Sequence, residues 1–246
     1  MTLAYLRRGL LAGLLAGLLA GLFGFAFGEP VLDEAVALEE GPHAGGEHTE
    51  EVFGRGQQKA GLFLVTGLYG AAVGCVFGLV SAYFRGKVSA LSEWARSMGL
   101  AAAIFAGAVL SPFLKYPPNP PGVGTDPETL TARTAAYLAM VALSLLALFV
   151  AWRLARQLES FATPTRHLLV GAFVLVAWAL LATLLPGADT PGDAPAELVW
   201  SFRLSSLGTQ AVLWAGIGCV FGVLGERAEA REGRGVSNLA AEGGVR

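Results

Sequence analysis

The residues of this chain with the most evident metal-binding chemistry lie in one acidic segment near the amino terminus. It reads "EPVLDEAVALEEGPHAGGEHTEEVF" from Glu29 onward. Imidazole together with carboxylate suits divalent cobalt, nickel or zinc better than magnesium or calcium, which prefer oxygen ligands alone. The candidate metal ligands are Glu39, Glu40, His43, Glu47, His48, Glu50 and Glu51. The alternative is a solvated acidic loop in which Pro42 and the glycines prevent a helix and the histidines are incidental, and the spacing by itself favours this alternative.

Motifs of familiar enzymes are absent from the sequence. There is no GxxxxGK[ST] phosphate loop, no HExxH zinc motif and no GxSxG nucleophile motif, and the chain has only 3 histidines. A net charge of -2 gives no basic field that would attract nucleic acid. We therefore predict that the chain is not an enzyme, binds no nucleic acid and holds no permanent cofactor.

The elements that must position these residues are apolar helices. Hydrophobic residues make up 54% of the chain and charged residues 15%, whereas soluble domains carry about 25% charged residues. Six runs contain no Asp, Glu, Lys, Arg or His, and each is close to the length of a transmembrane helix. They cover residues 9–27, 60–84, 98–114, 134–152, 168–185 and 204–224. The sequence predicts an all-α membrane protein with six transmembrane helices, as one domain over residues 1–225 with a flexible polar tail over residues 226–246.

The distribution of charge predicts the orientation in the bilayer. If the amino terminus is cytoplasmic, 12 of the 17 Lys and Arg residues lie on the inner side and 13 of the 19 acids on the outer side, as the positive-inside rule requires. Both termini are therefore predicted to be cytoplasmic. An acidic loop (residues 29–59) and a proline-rich loop (residues 115–131) are then predicted to face outward.

A weak internal repeat predicts how the helices pair. The string "GCVFG" occurs at residues 74–78 and again at residues 218–222. Outward-running helices end near Pro30, Pro112 and Pro186, and inward-running helices begin near Lys59, Arg133 and Arg203. We infer three helical hairpins, with chance similarity in a glycine-rich chain as the alternative. Cys75 and Cys219 lie deep in the apolar runs, where packing explains them better than a soft ligand pair or a disulfide.

Glycines at intervals of four predict close contact between helices. Small residues at this spacing let helix backbones approach each other in lipid, where packing drives association. The positions are Gly9, Gly13, Gly17 and Gly21 in the first helix and Gly70, Gly74 and Gly78 in the second.

Five prolines lie between Pro112 and Pro121, in "SPFLKYPPNPP". Because proline fixes φ and removes a hydrogen-bond donor, this segment is predicted to be a stiff outer cap and not a domain linker. Lys115 and Tyr116 would anchor the third helix at the interface, with Asn119 near the outer mouth.

Several of these segments, taken in order, resemble the CbtA family of predicted cobalt transporter subunits. They include "RRG" leading into "FGEP", the acidic loop with histidines, "FLKYPPNPPGVG", and "FR" followed by "SSLGTQ". The resemblance runs from about Arg7 to Gly222. It implies a multi-pass protein of the bacterial inner membrane that takes up Co²⁺ or Ni²⁺ for cobalamin synthesis, with a small single-span partner, CbtB, that bears histidines.

The resemblance also implies a set of functional residues. By position these are Glu29, Asp33, Arg55, Gln58, Lys115, Tyr116, Pro117, Asn119, Arg133, Arg203 and Gln210, to which we add Tyr69 as a neutral ligand within the spans. The first loop is poorer in histidine than expected of relatives, which shifts metal capture toward a partner. Two other functions stay open: a non-transporting scaffold of a metal-uptake complex, or a carrier of an anionic or organic solute that uses a basic ring of Lys59, Arg133 and Arg203. For those three basic residues, pairing with Glu29, Asp126 or Glu197 is the simpler explanation.

Overall fold

The described part of the chain is built from helices. A computed structural model of the chain describes residues 2–40, 55–88, 91–121, 123–124, 130–188, 190–192 and 194–243, and this part contains no strand. The α-helices are α1 (Thr2–Phe23), α2 (Glu29–Glu40), α3 (Arg55–Phe84), α4 (Glu93–Phe105), α5 (Ser111–Lys115), α6 (Leu130–Gln157), α7 (Thr163–Leu184) and α8 (Ala196–Gly243). Two π-helical turns, Gly24–Gly28 and Ala106–Leu110, follow α1 and α4.

Six continuous helical segments are long and apolar enough to cross a membrane. They are Thr2–Leu38, Gly61–Phe84, Glu93–Lys115, Leu130–Gln157, Thr163–Leu184 and Ala196–Arg231. The prediction of an all-α protein with six membrane-spanning helices is therefore confirmed. The arrangement as three hairpins and the cytoplasmic position of the termini stay predictions.

Two of the three prolines that were expected near helix ends lie inside continuous helical segments. The prediction is wrong for Pro30, because its segment continues to Leu38, whereas Pro112 does lie near the end of its segment at Lys115. Each π-helical turn ends two residues before one of these prolines, and helix α2 or α5 continues through it. Proline lacks an N–H and its ring collides with the carbonyl four residues earlier, so it fits the first turn of a new helix better than a helix interior. Residues 29–40, which were predicted to belong to the outer loop, are accordingly helical. Pro186 does follow the end of α7.

The chain divides into two compact units. Unit 1 comprises Met1–Phe25, Glu50–Ala102 and Ala211–Arg246, and unit 2 comprises Ala26–Thr49 and Ala103–Gln210. Helix α8 continues as far as Gly243, so the segment predicted to be a polar tail contains helical residues. A single domain over residues 1–225 and a flexible tail stay predictions.

In unit 1, the antiparallel helices α1 and α3 meet through the predicted glycines. A Cβ atom added to Gly13 would lie 2.8 Å from the Cα of Gly74 and closer still to the carbonyl oxygen of Gly70. The same holds along the interface, where Gly9 meets Gly74 and Gly17 meets Thr66 and Gly70. The expected close approach of these two backbones is confirmed, and it explains why glycine recurs every fourth residue.

The two copies of "GCVFG" use their glycines in the same way. Gly74 and Gly78 of α3 let the backbone of α1 pack closely against them. Gly222 of α8 does the same for α4, because a Cβ added to Gly222 would lie 2.9 Å from the Cα of Trp94. The phenylalanines of the two copies, Phe77 and Phe221, are fully buried and meet edge to face with ring centroids 5.2 Å apart. The repeated string therefore supplies both the close helix contacts and the aromatic centre of unit 1.

In unit 2, helix α6 packs against α7, against α5 and against the second π-helical turn. Gly107 of that turn faces Leu145 and Leu148, and Met140 is fully buried. The hydroxyls of Ser111 and Ser144 lie 2.9 Å apart and share a hydrogen bond. This packing carries the third membrane-spanning segment up to the proline-rich segment that follows it.

Candidate functional site

The proline-rich segment of unit 2 is fastened to the carboxyl end of α7. The ammonium of Lys115 donates a hydrogen bond to the carbonyl oxygen of Ala182 at 2.6 Å, and the hydroxyl of Tyr116 donates to that of Pro186, also at 2.6 Å. The last carbonyls of a helix have no partner within the helix, and a cation there also interacts favourably with the helix dipole. Lys115 and Tyr116 thus fasten the end of the third span to the end of α7, and their anchoring at the membrane interface stays a prediction.

Arg203, in the second turn of α8, holds the centre of the same segment. Its Nε donates to the carbonyl oxygen of Pro118 at 3.3 Å and its Nη2 donates to Oδ1 of Asn119 at 2.8 Å. Residues 117–120 lie outside any helix, so their carbonyls need such outside donors, and Pro120 is fully buried. We call residues 115–121, with Arg203 and the end of α7, the proline cap.

The loop beyond the cap is shaped by a glycine. Gly124 has φ of +65°, which L-residues with a side chain rarely adopt, and an added Cβ would lie 2.7 Å from the carbonyl oxygen of Thr190. Arg133, at the start of α6, donates from Nη1 to the carbonyl oxygen of Gly124 at 3.3 Å. Lys115, Tyr116, Asn119 and Arg203 therefore all take part in holding one segment, and Arg133 bonds the loop that follows it.

The cap is cationic and partly shielded from solvent. Lys115 and Arg203 are half-buried, and their hydrogen bonds go to neutral oxygens. Among the described residues neither forms an ion pair with a carboxylate, in contrast to the simple pairing expected for Arg203. Burial raises the pKa of the Tyr116 phenol above its usual value of 10.0, so the proton that it donates to Pro186 is firmly held at neutral pH.

Unit 2 also offers neutral oxygen atoms. The hydroxyl of Ser205 donates to the carbonyl oxygen of Phe27, in the first π-helical turn, at 2.9 Å. Since Pro30 and Pro112 have no N–H, at least one carbonyl in or beside each π-helical turn loses its helical donor. Neutral oxygens are one ligand type that binds cations within membranes. Both π-helical turns of this chain lie inside continuous helical segments.

The remaining predicted residues lie elsewhere. Glu29 is half-buried at the start of α2, Asp33 is exposed on the same helix, and Gln210 is half-buried in α8. Tyr69 is 52% exposed on α3. His43, Glu47, His48, Glu50 and Glu51 lie outside the described residues, as do the side chains of Glu39, Glu40, Arg55 and Gln58. Within the part of the chain that the structure describes, no group of three or more His, Cys, Asp or Glu side chains could hold a metal ion.

A charged cluster in unit 1 was missed at the sequence level. Glu93, the first residue of α4, is only 4% exposed and contacts Arg96, Tyr5 and Arg8. The sequence carried one signal for it: Glu93 and Arg96 are three residues apart, the spacing of neighbours on one helix face. The charge-free run of the third span begins only at Met98, so both residues lie outside it.

Comparison with known proteins gives one match. The model of the family CbtA, described as "Probable cobalt transporter subunit (CbtA)", matches residues 2–226. No curated protein and no solved structure matches the chain. The matched range includes every residue of the proline cap. In unit 1 it includes Tyr5, Arg8, Glu93 and Arg96 of the charged cluster.

Proposed function

We propose that this chain, which belongs to the CbtA family of probable cobalt transporter subunits, carries Co²⁺ inward across the bacterial inner membrane for cobalamin synthesis. The family match carries the proposal, because it covers nearly the whole chain. Six helices able to span a membrane are what such a subunit requires. Ni²⁺ is the alternative cargo, since the two ions share ligand preferences.

The proposed route begins at the acidic segment. Its carboxylates, with His43 and His48, concentrate divalent cations at the outer mouth, because a cluster of charges of one sign raises the local concentration of counter-ions. The ion then meets neutral ligands in the spans. Our candidates are the hydroxyl of Ser205, the carbonyl oxygen of Phe27, and the side chains of Gln210 and Tyr69. The rigid cap keeps Asn119 and Arg203 in fixed positions beside this route.

The driving force in this proposal is the membrane potential. The sequence contains no phosphate loop of the Walker type. A potential of about 100 mV, negative inside, contributes about 2.3 kcal/mol per elementary charge, and so about twice that for a divalent ion. Such a contribution favours inward movement of the ion about a thousandfold.

A partner completes the proposal. With only two histidines in the first loop, metal capture by this chain alone is weak, so we propose that a small single-span protein of the CbtB type delivers the ion. Uptake of radioactive cobalt is to be measured in cells that carry or lack this chain, each with and without the small partner. We expect uptake only where this chain is present. Equal uptake in all four strains would disprove the proposal.

A second function is favoured by one observation. Lys115 and Arg203 are half-buried cations that, among the described residues, contact no carboxylate, which would suit an anionic solute. Uptake of radioactive cobalt, with excess nickel as competitor, and uptake of radioactive phosphate are to be measured separately in cells that carry or lack this chain. Cobalt uptake that depends on the chain and is inhibited by nickel supports the cation, whereas phosphate uptake that depends on the chain supports the anion. A scaffold without transport activity predicts that replacing His43, His48 and Gln210 together leaves uptake intact.

A further inference from the structure

One end of unit 1 is closed around a buried carboxylate. Glu93 is 4% exposed, and its Oε1 accepts a hydrogen bond from the Tyr5 hydroxyl at 3.1 Å. The same oxygen lies 2.6 Å from Nη2 of Arg96, and Oε2 lies 3.9 Å from Nη1 of Arg8. A single side chain of α4 is thus held by two residues of α1 and by its own helical neighbour.

Arg96 extends the cluster to further elements. Its Nη2 also lies 3.8 Å from a carboxylate oxygen of Glu229 in α8. Its Nη1 donates to the carbonyl oxygens of Val88 and Leu91, which precede α4, at 3.4 and 3.0 Å. One guanidinium therefore joins α4, α8 and the chain that leads from α3.

The helices are shaped to admit this cluster. A Cβ added to Gly225 of α8 would lie 2.9 Å from Nη1 of Arg8 and 3.1 Å from Cβ of Glu93. The guanidinium of Arg8 lies 5.3 Å from the ring centre of Phe221, which is fully buried. The charges therefore lie directly on the aromatic centre of unit 1, and a side chain at position 225 would have to displace the guanidinium of Arg8.

A buried ion pair is a costly way to hold a static structure. Removing charges from water costs several kcal/mol per ion, and well-packed apolar residues usually stabilise as much or more. A pair of this kind has two discrete states, intact and broken, which is what a switching element needs. We propose that Tyr5, Arg8, Glu93, Arg96 and Glu229 form an ionic lock that closes this end of unit 1 and opens during the transport cycle. By the predicted orientation this is the cytoplasmic end, and the role in transport rests on the proposed function.

The test is the accessibility of a reporter thiol beside the lock. Ser97, one turn after Glu93, is 3% exposed and donates a hydrogen bond to the Glu93 carbonyl at 2.7 Å. Ser97→Cys is introduced into a Cys75→Ala/Cys219→Ala background, and its modification by a membrane-impermeant thiol reagent is followed in inside-out and right-side-out vesicles. Glu93→Gln keeps the size of the side chain but loses its charge. We expect it to raise the labelling rate about tenfold in inside-out vesicles only, as the difference between a charged and a neutral hydrogen bond implies.

Two further variants keep the test decisive. Tyr5→Phe removes one donor and retains the ring that packs on Phe221, so it should raise labelling by a smaller factor even if Glu93→Gln fails to fold. The matched control is Arg156→Gln, which breaks the pair of Arg156 and Glu159 at 3.8 Å, also three residues apart but exposed, and should change nothing.

The lock is refuted by unchanged labelling in the folded variants, by an equal increase with the control, or by an increase from both sides of the membrane. Because labelling requires no cobalt, these outcomes are independent of the uptake assay. Failure of wild-type uptake would refute the proposed function and the role of the lock in transport, but not the closure of this end of unit 1 by the lock.

Discussion

Replacing Gly13 by alanine tests whether α1 and α3 are held together by direct backbone contact. The added Cβ would lie 2.8 Å from the carbonyl carbon of Gly70 and from the Cα of Gly74, whereas ordinary contacts begin at 3.4 Å. The obstructing atoms are backbone atoms, so no rotamer change relieves the overlap. Either the two helices move apart by more than half an ångström, which loosens the neighbouring contacts at Gly9 and Gly17, or the overlap persists as strain.

Two opposing effects determine how much Gly13→Ala changes the free energy of unfolding. Overfilling a packed interface costs about 1 to 3 kcal/mol, whereas Gly→Ala within a helix gains about 1 kcal/mol of helix propensity. The matched control is Gly171→Ala in α7, where an added Cβ meets nothing within 4 Å. Because the control shares the gain but not the overlap, we expect Gly13→Ala to be less stable than Gly171→Ala by about 1 to 3 kcal/mol.

The free energy of unfolding is to be measured on purified protein in bicelles, by denaturant titration with the fluorescence of the 5 tryptophans as the signal. Membrane insertion is checked first, so that loss of protein is not mistaken for loss of stability. If Gly13→Ala proves as stable as Gly171→Ala, the interface has room that the structure denies, and the explanation of the glycine repeat is wrong.

Three further predictions concern the proline cap. Arg203→Lys replaces a guanidinium that reaches two acceptors by a single ammonium. We expect trypsin to cut after Lys115 about fivefold faster in right-side-out vesicles, because the cap loses about 1 kcal/mol of stability. An unchanged rate of cleavage would show that the guanidinium does not hold the cap. Burial raises the pKa of Tyr116 in the folded state. The neutral phenol therefore contributes fully to the free energy of unfolding below pH 10, and this contribution is lost as the pH rises through the raised pKa. Between about pH 9 and about pH 11, the melting temperature in detergent should therefore fall further for the wild type than for Tyr116→Phe. Parallel plots of melting temperature against pH for the two proteins would contradict this. Alanine at all four cap prolines should impair cobalt uptake while leaving the amount of protein in the membrane unchanged, and normal uptake would mean that the rigidity of the cap has no function. These prolines are Pro117, Pro118, Pro120 and Pro121.

The features that could be predicted from the sequence depend on local composition. An uncharged apolar run of about 20 residues has few alternatives to a membrane-spanning helix, so all six spans were identified. The contact between α1 and α3 was also predictable. Glycines four residues apart form a flat face on each of these two helices, and such faces pack against each other in a membrane. The π-helical turns were not predictable, because Pro30 and Pro112 signal a break in the hydrogen bonding without specifying whether the helix stops or widens and continues.

The two charged networks show the limit of the same reasoning. When a membrane span is defined as a run without charged residues, the first Glu or Arg at either end marks its limit. Every Glu and Arg at a helix end is then assigned to the aqueous side. Glu93 therefore falls outside the predicted spans, although α1, α4 and α8 bury it among Tyr5, Arg8 and Arg96. Arg203 was likewise expected to pair with a nearby acid, but it bonds the carbonyl of Pro118 and the amide of Asn119, which lie 85 and 84 residues away in sequence. Both sets of contacts join residues that are far apart in the sequence, so only tertiary packing decides them. Because a buried charge must find a partner wherever the fold supplies one, the ends of the helices, where both networks lie, are the part of this protein that composition predicts least well.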